Sequence, residues 1–158
     1  MLLLLLSLTA EPDPLLAHAV REAIEDEIEY AVEATLDQDI DRYMETVPHD
    51  TRILEDDGTI TDRDRLRELQ LQAWAITPRT NSIEITVTGF ELGCDGECAT
   101  VRTDQRWDRQ MIGRDGVTEF NVVTTQHHIE HWEARHSRWL QITTEELGGT
   151  TLVDGQPY

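Results

Sequence analysis

The chain has 158 residues, enough for one domain with its own core. It carries 32 acidic and 13 basic residues, a formal charge of −19, and every basic residue is an arginine. This charge argues against DNA, RNA or anionic membranes as main partners, because phosphate recognition needs a basic footprint. A hydrophobic content of 39% with four tryptophans excludes a disordered acidic chain. We therefore expect one strongly acidic globular domain.

The N-terminal segment, residues 1–10, is an apolar run of leucines that ends at Ala10. It has about half of the ~20 residues of a membrane-spanning helix, so no stable membrane insertion is expected. The run fits the apolar part of a secretion signal, although no Lys or Arg precedes it and Leu8 is large. The alternative is an apolar terminus that packs on the domain. We expect a secreted or periplasmic protein with 1–10 as a signal remnant, and otherwise a cytoplasmic one.

The first part of the folded region has helical periodicity. Between Leu15 and Leu36 the apolar residues recur every three to four positions, with acidic residues on the other face. A break at 37–39 precedes a second short helix that Pro48 ends. After a short strand at 51–54 and a turn at 55–58, Thr61 is predicted to cap a third helix that ends near Pro78.

After Asn81 the apolar period changes from 3.6 to 2, which predicts β-strands. The alternating segments are 83–87, 99–108, 118–133 and 138–147, separated by short turns. The tail at 148–158, which begins Gly-Gly, is predicted to be irregular. Helices followed by antiparallel strands indicate an α+β domain, a curved sheet of four to five strands wrapped on N-terminal helices.

The two cysteines, Cys94 and Cys98, flank a predicted hairpin turn at Asp95-Gly96. A three-residue loop brings the two side chains to facing positions, where a disulfide can form. Export would favour that bond, and the alternative is two reduced thiols. Zinc is a poor alternative, because two thiols do not complete a tetrahedral site.

The element order and several short motifs resemble the nuclear transport factor 2-like superfamily, and within it the SnoaL-like proteins. The motifs are the first helix running into Asp39-Ile40-Asp41-Arg42-Tyr43-Met44, the turn Asp56-Asp57-Gly58, the helix opening Thr61-Asp62-Arg63-Asp64-Arg65-Leu66, and the closing hairpin Trp132-Glu133…Ser137-Arg138-Trp139-Leu140. The resemblance covers about residues 15–147. It implies an α+β cone over 11–147 with a central pocket, and we expect Tyr30, Trp74, Trp107 and Trp132 to line that pocket.

The resemblance also implies two classes of function. One is cofactor-free acid/base catalysis on a small, mostly apolar molecule, as in isomerases, dehydratases, cyclases and limonene-type epoxide hydrolases. The other is a non-catalytic exported domain that binds a ligand or dimerises. A small-molecule ligand, no cofactor and a homodimer are expected, and the fold alone does not choose between the two classes.

The densest polar cluster lies on the predicted third long strand. His127 and His131 share one face of this strand, and His128 shares the other with Glu130 and Trp132. We expect one of the three histidines to act as general base or acid. The alternative is that they lie on the outer face or in an interface. A metal site is not expected, because two residues four apart on one strand are separated by about 13 Å.

A second candidate site is Arg106 and Asp108, which resembles the Arg-x-Asp of limonene-type epoxide hydrolases. The closing strand provides no obvious partner aspartate. The alternative is an ion-pair ladder on a solvated face, formed with Arg102 and Asp104. If that face points away from the helices, the alternating residues Val101, Thr103, Gln105 and Trp107 line the pocket instead.

The third candidates are Tyr30 and Tyr43, on the predicted first and second helices. In this fold a tyrosine on a helix can donate a hydrogen bond to a developing oxyanion. The alternative is simple core packing. Asp39 and Asp41 are expected to cap or solvate the helix junction rather than to catalyse.

Overall fold

The computed structural model describes residues 13–54 and 60–158. The predicted signal remnant at 1–10 and the turn at 55–58 therefore lie outside the described residues. In chain order the elements are α1 (Pro14–Leu36), α2 (Ile40–Glu45), β1 (Arg52–Leu54), β2 (Ile60–Asp62), α3 (Arg63–Ala75), β3 (Arg79–Gly93), β4 (Cys98–Ile112), β5 (Glu119–Arg135), β6 (Arg138–Val153) and β7 (Gln156–Pro157). No helix in the described ranges is long and apolar enough to cross a bilayer.

The helices begin at aspartate caps. Asp13 accepts a hydrogen bond from the Leu15 amide and is followed by Pro14 at the first turn of α1. Asp39 caps α2, as expected for the helix junction. Asp62 caps α3, so the predicted cap at Thr61 is wrong by one residue. Thr61 instead belongs to β2, a strand that the sequence did not predict.

A curved, unclosed antiparallel sheet forms the second layer, with strand order β3-β4-β5-β6-β7. The predicted α+β architecture is confirmed. The tail is not irregular, however, because β6 continues to Val153 and β7 pairs back onto it. Gly149 does not interrupt β6. A side-chain carbon there would lie 2.1 Å from the Thr125 carbonyl oxygen, so glycine permits a close approach of the two strands.

Helix α1 packs on the inner face of the sheet and forms the main core. The buried side chains of this core are Val20, Ile24, Leu92, Ala99, Val101 and Trp132. The turn between β3 and β4 contains the predicted Cys94–Cys98 disulfide, with a Cα–Cα distance of 5.3 Å. The core therefore fixes one end of α1 on the sheet, and the other end of α1 borders a cavity.

Candidate functional site

A cavity of about 220 Å³ lies between the helices and the inner face of the sheet. Helices α1 and α2 form one wall, and strands β3 to β6 form the other. Three tryptophans, Trp107, Trp132 and Trp139, line it, and so do four titratable side chains: Glu27, Tyr43, His128 and Glu130. The predicted central pocket is thus present, with aromatic walls and a few polar groups.

Side-chain alternation decides which residues reach this cavity. On β4 the inner face carries Gln105 and Trp107, and on β5 it carries His128, Glu130 and Trp132. The pairing of Thr103 with His128 places the inner faces of the two strands side by side. Of the two faces that the sequence left open, the one that lines the cavity contains Gln105 and Trp107.

Glu130 is the most deeply buried acidic side chain of the site, with 3% of its surface exposed. One carboxylate oxygen accepts hydrogen bonds from the Thr103 hydroxyl at 2.8 Å and the Gln105 amide at 3.2 Å. The other accepts one from the Trp132 indole at 3.0 Å. Gln105 in turn accepts a hydrogen bond from the Trp107 indole at 3.1 Å. The network satisfies these groups and fixes both tryptophan rings on the cavity wall.

His128 is adjacent to this network but takes no part in it. Its Nδ1 atom is buried and has no hydrogen-bond partner within residues 13–54 and 60–158. Such groups are rare in folded proteins, and leaving one unpaired costs about 1–3 kcal/mol. His128 lies two residues before Glu130 on the same strand face, about 6–7 Å along the strand. The His128 ring lines the cavity, so a molecule bound there would lie beside this imidazole and near a buried carboxylate.

Tyr43 faces His128's strand from the helix layer. Its ring packs edge-on against Trp74, with centroids 6.0 Å apart. Burial raises the pKa of its hydroxyl, so the phenol is neutral and can donate a hydrogen bond throughout the neutral range. No hydrogen bond to this hydroxyl is formed within the described part of the chain. Tyr43 is thus, after His128, the second titratable side chain of the cavity that forms no hydrogen bond with the described residues.

Glu27 closes the cavity on the α1 side through an ion pair with Arg138 of β6. The guanidinium binds both carboxylate oxygens, at 2.9 and 2.6 Å, and lies over the Tyr30 ring at 5.1 Å. The hydrogen bonds to Glu27 raise the pKa of Arg138. Tyr30 also donates a hydrogen bond to Glu45 at 2.7 Å. This cluster joins α1, α2 and the closing hairpin beside the cavity.

Replacing Arg138 with alanine is expected to lower the free energy of unfolding by about 1–2 kcal/mol. The reason is that Glu27, whose side chain is only 15% exposed, would lose both of its charge-assisted hydrogen bonds. Urea unfolding followed by circular dichroism measures the difference. Arg65→Ala is the matched control, since Arg65 pairs with Glu68 on an exposed helix surface and should change stability by less than about 0.5 kcal/mol. Equal losses for the two variants would contradict a special role for the Arg138 pair.

The other predicted catalytic residues of the sheet lie on its outer face. His127 pairs with Asp104 at 2.7 Å, and His131 contacts the Thr100 hydroxyl at 3.2 Å. Arg106 forms looser ion pairs with Glu84 at 3.8 Å and with Asp108 at 3.7 Å. None of these side chains is among those that line the cavity.

Asp108 has a structural environment of its own on that outer face. It accepts hydrogen bonds from Asn81 and Asn121, each at 2.7 Å. These amides, with a smaller contribution from Arg106, hold the pKa of Asp108 below its usual value. The Arg106–Asp108 pattern is therefore a polar cross-strand cluster, and it does not approach the cavity.

Of the four aromatic residues expected in the pocket, Trp107 and Trp132 line this cavity, whereas Tyr30 and Trp74 are not among its lining residues. Tyr30 lies among arginine side chains on another side of α1, and Trp74 is buried behind Tyr43. Sequence reasoning placed Glu130 on the face of His128 but did not single it out, and it missed Glu27. The only signal for Glu130 was its position between His128 and Trp132 on one strand face.

A metal centre has no obvious place in the part of the chain that the structure describes. No group of three or more His, Cys, Asp or Glu side chains there is arranged to hold an ion. The chemistry available at the cavity is that of an imidazole, a neutral phenol and a hydrogen-bonded carboxylate.

The sequence matches no family model and no curated protein. Solved structures do match. A scytalone dehydratase-like protein from Novosphingobium aromaticivorans has a TM-score of 0.73 at 11% identity, over 87% of this chain and 89% of that one. A hexachlorocyclohexane dehydrochlorinase (LinA type 2) has a TM-score of 0.68 at 13% identity, over 89% and 93%. An NTF2-like protein of unknown function from Shewanella oneidensis has a TM-score of 0.59 at 14% identity, over 80% and 98%. At these identities the matches establish a shared fold.

Proposed function

We propose that this chain, which has the nuclear transport factor 2-like fold, binds a small, uncharged and mostly apolar molecule in its cavity and catalyses a proton transfer on it. His128 acts as the general base and Tyr43 as a hydrogen-bond donor. The observation that carries the proposal is that the His128 side chain lines the cavity, two positions before the buried Glu130 on the same strand face, while its Nδ1 has no hydrogen-bond partner among the described residues.

The hydrogen bonds of the cavity support this division of roles. Of the four titratable side chains that line it among the described residues, Glu27 is paired with Arg138 and Glu130 is held by three donors. The Nδ1 of His128 has no hydrogen-bond partner there, and the Tyr43 side chain is held by packing against Trp74. A ligand can therefore place a polar group at Tyr43 and a neighbouring C–H group at His128 without breaking a hydrogen bond of the protein. The tryptophan walls favour an apolar or aromatic remainder.

The proposed chemistry is an elimination or an isomerisation. In an elimination, His128 takes a proton from a carbon, the electrons of that C–H bond form a C=C bond, and hydroxide or chloride leaves the adjacent carbon with its bonding electrons. Tyr43 donates a hydrogen bond to the group on which negative charge develops. The Glu130 carboxylate stabilises the imidazolium that forms, because opposite charges attract strongly in a buried site. In an isomerisation, the same base returns the proton to another carbon.

The names of two structural neighbours agree with an elimination. One is a hexachlorocyclohexane dehydrochlorinase and the other is scytalone dehydratase-like. The first experiment is therefore to incubate the protein with hexachlorocyclohexane, scytalone, a β,γ-unsaturated cyclic ketone and a cyclic epoxide. Chloride release and mass spectrometry of the products measure turnover. Turnover of one compound supports the proposal, and binding of these compounds without turnover contradicts it.

A non-catalytic ligand-binding role is the alternative function. It is favoured by the complete hydrogen bonding of Gln105, Glu130 and Trp132, which gives these groups a structural role. In that case the same compounds would bind in the cavity and be recovered unchanged, and replacing His128 would alter affinity alone.

We further propose that the chain functions in an oxidising compartment, as a secreted or periplasmic protein. The Cys94–Cys98 disulfide supports this proposal, because such bonds persist mainly outside reducing compartments. Mass spectrometry after alkylation of protein taken directly from its source tests it, and two alkylated thiols would contradict it. The homodimer that the resemblance implies stays a prediction, which sedimentation equilibrium tests.

A further inference from the structure

A second, outer chamber of about 430 Å³ adjoins the cavity. It lies between the end of α2, the segment that follows it, helix α3 and strand β6. Val47, Pro48, Leu66 and Ile142 provide most of its apolar surface. No charged side chain lines it within the described part of the chain.

The outer chamber and the cavity share part of their lining. Both spaces are bordered by Ala31, Tyr43, Thr46, Gln141 and Thr144. Three of these five residues are small, so Tyr43 and Gln141 are the larger side chains at the boundary of the two spaces. The Gln141 amide donates a hydrogen bond to the Thr144 hydroxyl, which holds it against β6. A ligand that contacts Tyr43 in the cavity therefore also lies at the boundary of the outer chamber.

The volumes leave room for a ligand that extends from the cavity into the outer chamber. Small-molecule sites usually measure roughly 300–1,000 Å³, and the cavity of about 220 Å³ falls below that range. The adjoining chamber, of about 430 Å³, provides the remaining space. Its uncharged lining fits an alkyl or aryl group, and the net charge of −19 disfavours an anionic one.

We propose that the outer chamber is a second subsite, which binds the neutral apolar tail of the same molecule whose polar head contacts Tyr43 beside His128. This inference rests on the proposed function and adds a substrate class. The substrate is an uncharged alcohol, phenol or carbonyl compound with an alkyl or aryl substituent of several carbons. A small ring without such a substituent fills only the cavity.

A series of alkylphenols tests the inference. Isothermal titration calorimetry gives the Kd of phenol, 4-ethylphenol and 4-butylphenol for the wild-type protein. Transfer of each methylene from water into an apolar chamber is expected to tighten binding about fourfold. A Kd that does not change with chain length overturns the second subsite.

A chamber-filling variant localises the effect. Leu66→Trp places a larger ring in the outer chamber and should leave the Kd of phenol within about twofold of the wild-type value. In this variant the decrease in Kd from phenol to 4-butylphenol should be less than about twofold. Leu71→Trp on the same helix is the control, since Leu71 is 40% exposed and does not line the chamber. If Kd decreases along the series as much in Leu66→Trp as in the wild-type protein, the tail binds elsewhere and the inference is overturned. If this variant does not fold, the wild-type series alone tests the inference.

The outcomes separate this inference from the proposed function. Normal turnover of a compact substrate together with a flat alkylphenol series overturns the second subsite and leaves the catalytic proposal standing. A steep series without turnover of any compound supports the subsite and contradicts the catalytic proposal. Failure of every phenol to bind overturns the subsite and the ligand chemistry on which it depends.

Discussion

Replacing Glu130 with alanine is expected to lower the free energy of unfolding by about 3–5 kcal/mol. The substitution leaves the Thr103 hydroxyl, the Gln105 amide and the Trp132 indole without their acceptor. It also opens a void in a region where Thr103 and Trp132 are almost fully buried. Urea unfolding followed by circular dichroism measures the loss, because this signal does not depend on the altered environment of Trp132.

Two further variants show what Glu130 contributes. Glu130→Gln keeps one acceptor oxygen but points an amide group at a donor, so its loss should fall between those of wild type and the alanine variant. Glu145→Gln is the control on an exposed position of β6 and should change stability by less than about 0.5 kcal/mol. An alanine variant that loses less than about 1 kcal/mol would show that the hydrogen-bond network does not hold the cavity wall.

Replacing His128 with glutamine should lower kcat about 10²- to 10⁴-fold on any compound that the protein turns over. Glutamine retains a polar side chain of similar reach but cannot accept a proton at neutral pH. The expected loss is in kcat rather than KM, because the imidazole acts on the reacting proton and contributes little to binding the apolar remainder. Steady-state kinetics on the most active compound of the panel measures both constants.

His127 and His131 provide matched controls on the same strand. Their side chains lie on the outer face, so His127→Gln and His131→Gln should retain kcat within about twofold of wild type. A His128→Gln variant that keeps kcat within about threefold, or an equal loss in all three variants, contradicts the assignment of His128 as base. Tyr43→Phe adds an independent test, since loss of its hydroxyl should reduce kcat without unfolding the protein.

Much of the fold could be predicted from periodicity, because the change from a 3.6-residue to a 2-residue repeat marks where helices give way to strands. The ends of the strands could not be predicted in this way. The pair Gly148-Gly149 predicts the end of the last strand, since paired glycines usually mark turns. Instead the positive φ of Gly148 and the close approach of Gly149 to the Thr125 carbonyl let β6 continue past His127 of β5. That approach depends on the partner strand, which local sequence does not specify.

The candidate site was predictable only in part, for a related reason. Alternation correctly groups His128, Glu130 and Trp132 on one strand face, but it does not tell which face the helices cover. The three hydrogen bonds to Glu130 depend on the register between β4 and β5, in which Val101 lies opposite Glu130. The family resemblance and its position in the helix layer predict Tyr30 in the pocket, whereas its ring contacts two arginine side chains on another side of α1.

The most direct test of the account is the NMR spectrum of the histidine side chains during titration with phenol. All six imidazoles can be assigned with single His→Gln variants. We expect the ring signals of His128 to shift with a saturable 1:1 dependence on phenol, while those of His127 and His131 stay unchanged. Phenol binding that leaves His128 unmoved, or that moves the outer histidines equally, would contradict the assignment of this cavity as the functional site.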